Sequence, residues 1–210
     1  MAAMEDVLDV DHRPFDPRRP LVGLDEASKQ LIGEVAEPVA AEPGRPERID
    51  DEYVRDGTAN RFMISEPLVG WRHVEVTERR TAVDFAEVLR WLVEEVHPDA
   101  EKVVLVMDNL NTHTVASLYE AFEPGRARRI AERLEIHHTP KHGSWLNMAE
   151  IELSAFSRQC PDRRIETRGE LRHEVSQWER PRNERGVVIR WQFTTADARI
   201  KLRRLYPTPQ

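Results

Sequence analysis

The chain has 210 residues, 40% of them apolar and 33% charged, enough for one domain with its own core and a polar surface. Its longest unbroken apolar run, VVLVM, excludes a membrane-spanning helix, and the acidic amino end MAAMEDVLDVDHRP excludes a secretory signal. The single cysteine, Cys160, excludes an internal disulfide and suits a reducing cytosol.

The net charge of −7 is unevenly spread: residues 1–60 carry −8, residues 61–120 carry −5 and residues 121–210 carry +6. The basic third makes phosphate binding plausible; an arginine-rich solvated surface accounts for it equally well.

Residues 1–20 are polar, carry Pro14, Pro17 and Pro20, and read as an extended arm. LVGLDEAS, from Leu21, is a short apolar run ending at an acid, as in a buried strand. Residues 34–57 contain Pro38, Pro43 and Pro46 among many charges and read as a long loop. Two short strands follow, near 61–65 and 71–77, joined through Pro67 and Gly70. Thr81 and Asp84 have the spacing of a capping box. Behind them Ala82, Phe85, Ala86, Leu89, Leu92, Val93 and Val96 mark the buried face of a helix that Pro98 closes.

VVLVM is continuously apolar and β-branched, as expected of a central strand covered on both faces. Helices are predicted near 115–122 and 126–134, then a second internal strand at LEIHH. TPKHGSWLNMAEIELSAF, residues 139–156, follows: polar, aromatic and glycine residues first, then a helix with Leu146, Ala149, Leu153 and Phe156 on one face. Two amphipathic helices, at 170–184 and 196–205, complete the chain, the region 168–210 being a helical tail. The order of elements implies an α/β domain, 21–210, built on a mixed sheet with helices on its faces.

Three acids stand at unexpected places. Asp25 ends the first apolar run, Asp108 ends VVLVM, and Glu150 borders the buried face of the 139–156 helix. Neighbouring strands lie about 5 Å apart, so carboxylates at their carboxyl ends can meet at one ion. Clustered carboxylates repel one another, and a divalent cation removes the conflict. Each acid also has a plain alternative: a turn acid at Asp25, a helix cap at Asp108, a solvated helix acid at Glu150.

LVGLDEASKQL, VVLVMDNLNTH and TPKHGSWLNMAEIE, with the tail FTTADARIKLRRLYP, resemble the catalytic blocks of bacterial insertion-sequence transposases of the mariner-like DDE superfamily. The resemblance runs from about Met4 to Pro207. It implies a ribonuclease-H-like fold and DNA strand cleavage and strand transfer assisted by two Mg²⁺ or Mn²⁺ ions. It also implies DNA as partner (transposon ends and target), with a homodimer or a full-length transposase as a further partner, in the cytoplasm at the nucleoid.

Block by block, the family's three metal-binding acids fall on Asp25, Asp108 and Glu150. Glu152 is the nearest rival for the third, but two positions along a helix it points elsewhere. Relatives usually carry helix-turn-helix domains before this core. Their expected absence suggests the second half of a split transposase, or a truncated remnant that only binds DNA or a full-length partner. A host nuclease of the same fold is a third reading.

Around the acids, Asn109 and Asn147 are expected to support the ligands through hydrogen bonds, with helix capping as the alternative. His113 and His142 are placed at the rim, with a surface role as the alternative. Lys141, Arg158, Arg163, Arg164, Arg199, Lys201, Arg203 and Arg204 are candidates for backbone phosphate contacts. Trp145 is expected either to stack on a base or to brace its helix. His137 and His138 do not form a zinc pair, because adjacent strand residues face opposite ways.

Overall fold

The computed structural model of the chain describes residues 1–36, 42–45, 52–109, 114–160 and 164–206. Five strands, numbered in chain order, form one sheet: β1 (Leu21–Glu34), β2 (Tyr53–Glu66), β3 (Trp71–Thr77), β4 (Val103–Met107) and β5 (Leu134–His138), in the spatial order β3-β2-β1-β4-β5. β1 to β3 form an antiparallel meander, whereas β4 pairs parallel to β1 and β5 parallel to β4. The expected α/β mixed sheet is therefore present.

Seven α-helices are described: α1 (Ala2–Asp11), α2 (Ala82–Trp91), α3 (Ser117–Ala121), α4 (Pro124–Glu132), α5 (Met148–Gln159), α6 (Arg168–Glu184) and α7 (Thr195–Lys201). None of the described helices is long and apolar enough to cross a membrane. α2 opens on the predicted capping box: the Thr81 amide donates to Asp84 Oδ2 at 2.7 Å, and the Asp84 amide donates to Thr81 Oγ1 at 3.2 Å.

Strand alternation divides the core between the two faces of the sheet. Val22, Leu24, Phe62, Ile64, Leu105 and Met107 pack against Phe85 and Leu89 of α2 and Ile130 of α4. Met63, Val74 and Val76 pack on the other face against Leu153 and Phe156 of α5 and Leu171 and Trp178 of α6. Val104 and Val106 share that second face nearer β5, where they meet Val7 and Leu8 of α1.

Three expectations need correction. Residues 1–20 are not an extended arm: α1 buries Met4, Val7, Leu8 and Val10, an apolar stripe at helical spacing, and all three prolines lie beyond its end. The loop assigned to 34–57 is shorter at both ends, because β1 runs through Glu34 and β2 starts at Tyr53; main-chain pairing carries these polar segments as strand without an apolar pattern. LEIHH is an edge strand rather than an internal one, consistent with the half-exposed side chains from Glu135 to His138.

Candidate active site

The site begins with strand register. β1 and β4 pair from Leu21 opposite Val104 to Leu24 opposite Met107, and the next residues are Asp25 and Asp108. Parallel pairing thus delivers the two acids side by side where β4 ends, while β1 continues into its long hairpin. Both acids are half-buried.

Glu150 arrives from α5, and close packing sets its place. Gly23 lies under the start of that helix: a Cβ there would stand 3.1 Å from the Ala149 amide nitrogen and 3.3 Å from Asn147 Oδ1. Asn147 joins the two elements, because its Oδ1 accepts from the Ala149 amide at 3.1 Å and its Nδ2 donates to the Leu24 carbonyl at 2.8 Å. It therefore caps α5 and ties that helix to the residue preceding Asp25. Glu150 sits in the first helical turn, where the amide dipoles favour a negative charge.

The electrostatics single out Asp25. Burial pushes its carboxyl up to about 7 from an ordinary value of 3.8, the charges of Asp108 and Glu150 push the same way, and the Glu26 amide, donating to Oδ1 at 2.9 Å, opposes them. Glu150 Oε2 is buried without a hydrogen-bond partner. Among the described residues, no three His, Cys, Asp or Glu side chains are closed to coordination distances. What Asp25, Asp108 and Glu150 share is an electrostatic neighbourhood of partly desolvated oxygen donors. That donor set suits a hard divalent cation.

Asp108 and Asn109 continue into the wall of a cavity of about 610 Å³, shared with Thr139, Lys141, His142 and Ser144. His142 adopts a left-handed φ of 65°, a conformation uncommon for residues with a side chain, and Lys141 beside it is exposed. His113 and Arg163 lie outside the described residues.

The structure does not gather all the predicted cations. Arg164 pairs with Glu34 at 2.5 Å and lies over the Tyr53 ring, so it serves the β1–β2 hairpin. Arg199 is held by Glu5 of α1 at 2.8 Å. Arg158 is exposed on α5, its Nε donating to the Ser154 carbonyl at 3.3 Å; Arg203 and Arg204 are exposed near the carboxyl end. Glu152 faces away from the acids, toward Arg72 and Arg182.

His138, weighed in the sequence only as half of a rejected zinc pair, emerges as a neighbour of the site. Its Nδ1 lies 3.2 Å from the Asp108 carbonyl oxygen, fastening the main chain that bears the acid. Its only advance signal was its place at the end of LEIHH; the structure sets it opposite Met107. His137 turns the other way, to Asp6 at 2.7 Å.

A family profile described as DDE superfamily endonuclease matches residues 20–172, well over half of the chain, and spans all three acids. No curated protein matches. Among solved structures, the Mos1 mariner paired end complex with Mn superposes with a TM-score of 0.56 at 16% identity, over 89% of this chain and 56% of that one. The Mos1 strand transfer complex gives a TM-score of 0.58 at 12% identity, over 89% and 57%. A pre-cleavage Mos1 transpososome gives 0.54 at 11% identity, over 91% and 64%. The chain thus spans a little over half the length of these proteins. At such identities the likeness concerns the fold, which is ribonuclease-H-like. The profile match carries the family: the chain belongs to the DDE superfamily endonucleases.

Proposed function

We propose that this chain is the catalytic core of a DNA transposase, cleaving DNA strands and joining the freed 3′ ends to target DNA. Its carrying observation is the geometry of three acids: strand pairing sets Asp25 beside Asp108, and α5, packed over Gly23, brings Glu150 into their electrostatic neighbourhood. In this reading Asp25, Asp108 and Glu150 hold divalent metal, Mg²⁺ or Mn²⁺, as a pair of ions. Metal bound there supplies a lowered pKa for the attacking water and positive charge for the departing 3′ oxygen.

The protein's own residues set the geometry. Asn147 fixes Glu150 against the strand bearing Asp25, and His138 restrains the main chain of Asp108. Lys141 and His142 line the approach, where a DNA phosphate would lie. Transposon ends and target DNA are the proposed substrates, at the nucleoid, with a second copy of the chain or a longer transposase as assembly partner. The profile match supports the reaction class, and the Mos1 superpositions support the arrangement of the core.

Calorimetry with Mn²⁺ tests the site. The unaltered chain should bind, and Asp108→Ala should weaken binding by about tenfold or more, the scale expected for loss of a ligand or its support. Equal binding by both proteins would remove the proposal. Mn²⁺-dependent nicking of duplex DNA should disappear in Glu150→Gln.

A further inference from the structure

Trp145 lies in the 3-10 turn Ser144–Leu146, in chain order between the cavity wall at Lys141 and His142 and the first turn of α5. It is 44% exposed, although its neighbours Leu146 and Met148 are 0% and 3% exposed. A tryptophan that only braced the turn would share their burial. Instead one part of its ring is supported and the rest is left open.

The support is built from the carboxyl-terminal segment. The Trp191 ring stacks on Trp145 with centroids 6.2 Å apart and planes inclined by 24°, and the Phe193 ring meets Trp145 edge-on at 5.7 Å. Trp191 Nε1 is buried with no hydrogen-bond partner among the described residues, so packing rather than a polar anchor places that ring. Lys201 Nζ lies 5.3 Å over the Phe193 ring, bringing a cation to this aromatic group.

Resting on the DNA-cleaving function above, we propose that Trp145, backed by Trp191 and Phe193, is a stacking platform for one unpaired base of the DNA strand held in the site. Inside a duplex both faces of a base are covered, so an aromatic ring can stack only on a base that is terminal, frayed or extruded. The cavity of about 610 Å³ that Ser144, the preceding residue, helps to line has room for the sugar and phosphate of such a nucleotide, with Lys141 on its wall. Every base has a π face, so the platform tolerates any sequence. It selects for an unpaired nucleotide near the scissile phosphate rather than for a particular base.

The test compares a fully paired duplex with the same duplex carrying a short frayed end that contains 2-aminopurine. Binding to the unaltered chain should quench the 2-aminopurine emission, and the frayed DNA should bind about tenfold more tightly than the paired one. That preference should vanish in Trp145→Ala, return in Trp145→Phe and shrink in Trp191→Leu. The preference is a ratio, so a variant that merely misfolds is recognised by losing both DNAs, and the quenching in the unaltered chain then decides. No DNA binding by the unaltered chain overturns the function and this inference together. Binding without preference or quenching, or a preference that survives in Trp145→Ala, overturns the inference alone.

Discussion

Glu152 Oε2 and Arg72 Nε face each other at 3.3 Å with each side chain 2% exposed, and Arg182 reaches the same carboxylate at 3.0 Å. Glu152 thus ties α5 to β3 and α6, while Glu150, two residues earlier, borders Asp25 and Asp108. Adjacent acids on one helix have separate tasks. Glu152→Ala would leave two guanidiniums facing a vacated buried site, and breaking such a group typically costs about 3–5 kcal/mol. Urea unfolding should show that loss for Glu152→Ala. Metal-free Glu150→Ala should be as stable as the unaltered protein or slightly more so, because it relieves carboxylate repulsion.

Gly23 sets the distance between the strand bearing Asp25 and the helix bearing Glu150. Gly23→Ala would press a methyl group on the Ala149 amide and Asn147 Oδ1, both main-chain-anchored and unable to yield freely. Overpacking of this kind costs about 1–3 kcal/mol. The expected signature is a modest fall in urea midpoint together with a loss of Mn²⁺ affinity of about tenfold or more, measured on the folded protein.

Metal binding should eject a proton. The Asp25 carboxyl titrates near 7 in the metal-free fold, so below that pH a cation must displace its proton. Mn²⁺ affinity should therefore rise with pH until about 7 and then level off. Calorimetry in buffers of different ionisation enthalpy measures the proton directly, and Asp25→Asn should remove both the release and most of the binding.

Asp11, at the end of α1, has both carboxylate oxygens buried without partners, and burial pushes its carboxyl up to about 8 from 3.8. An acid with a raised folded pKa holds its proton more tightly in the native state than in the unfolded chain. Stability from this group is therefore complete below about pH 3.8 and is lost as pH rises toward 8. Asp25 slopes in the same direction. Urea midpoints of Asp11→Asn across that interval should fall less steeply with pH than those of the unaltered protein.

Much of this was legible in the text of the chain because it depends on short-range pattern. The capping box at Thr81, the apolar face from Phe85 to Val93 and the continuous run at Val103–Met107 each carry their signal within a few residues. The β1–β2 hairpin was underestimated because polar strand ends are stabilised by pairing across the sheet, which leaves no mark in either segment alone. α1 was hidden by prolines that lie outside it. The contact of His138 with the Asp108 carbonyl and the stacking of Trp191 on Trp145 join elements far apart in sequence, and neither segment announces its partner.

Residues 25, 108 and 150 become neighbours only after β4 has added beside β1 and α5 has settled over β1. Loop-closure entropy opposes such distant contacts until the surrounding core rewards them. While the ribosome is still extending the chain, the first two acids are bystanders: the helix that completes the set has yet to emerge and dock. Whatever the three acids do together therefore waits until α5 has docked, when most of the chain has been made.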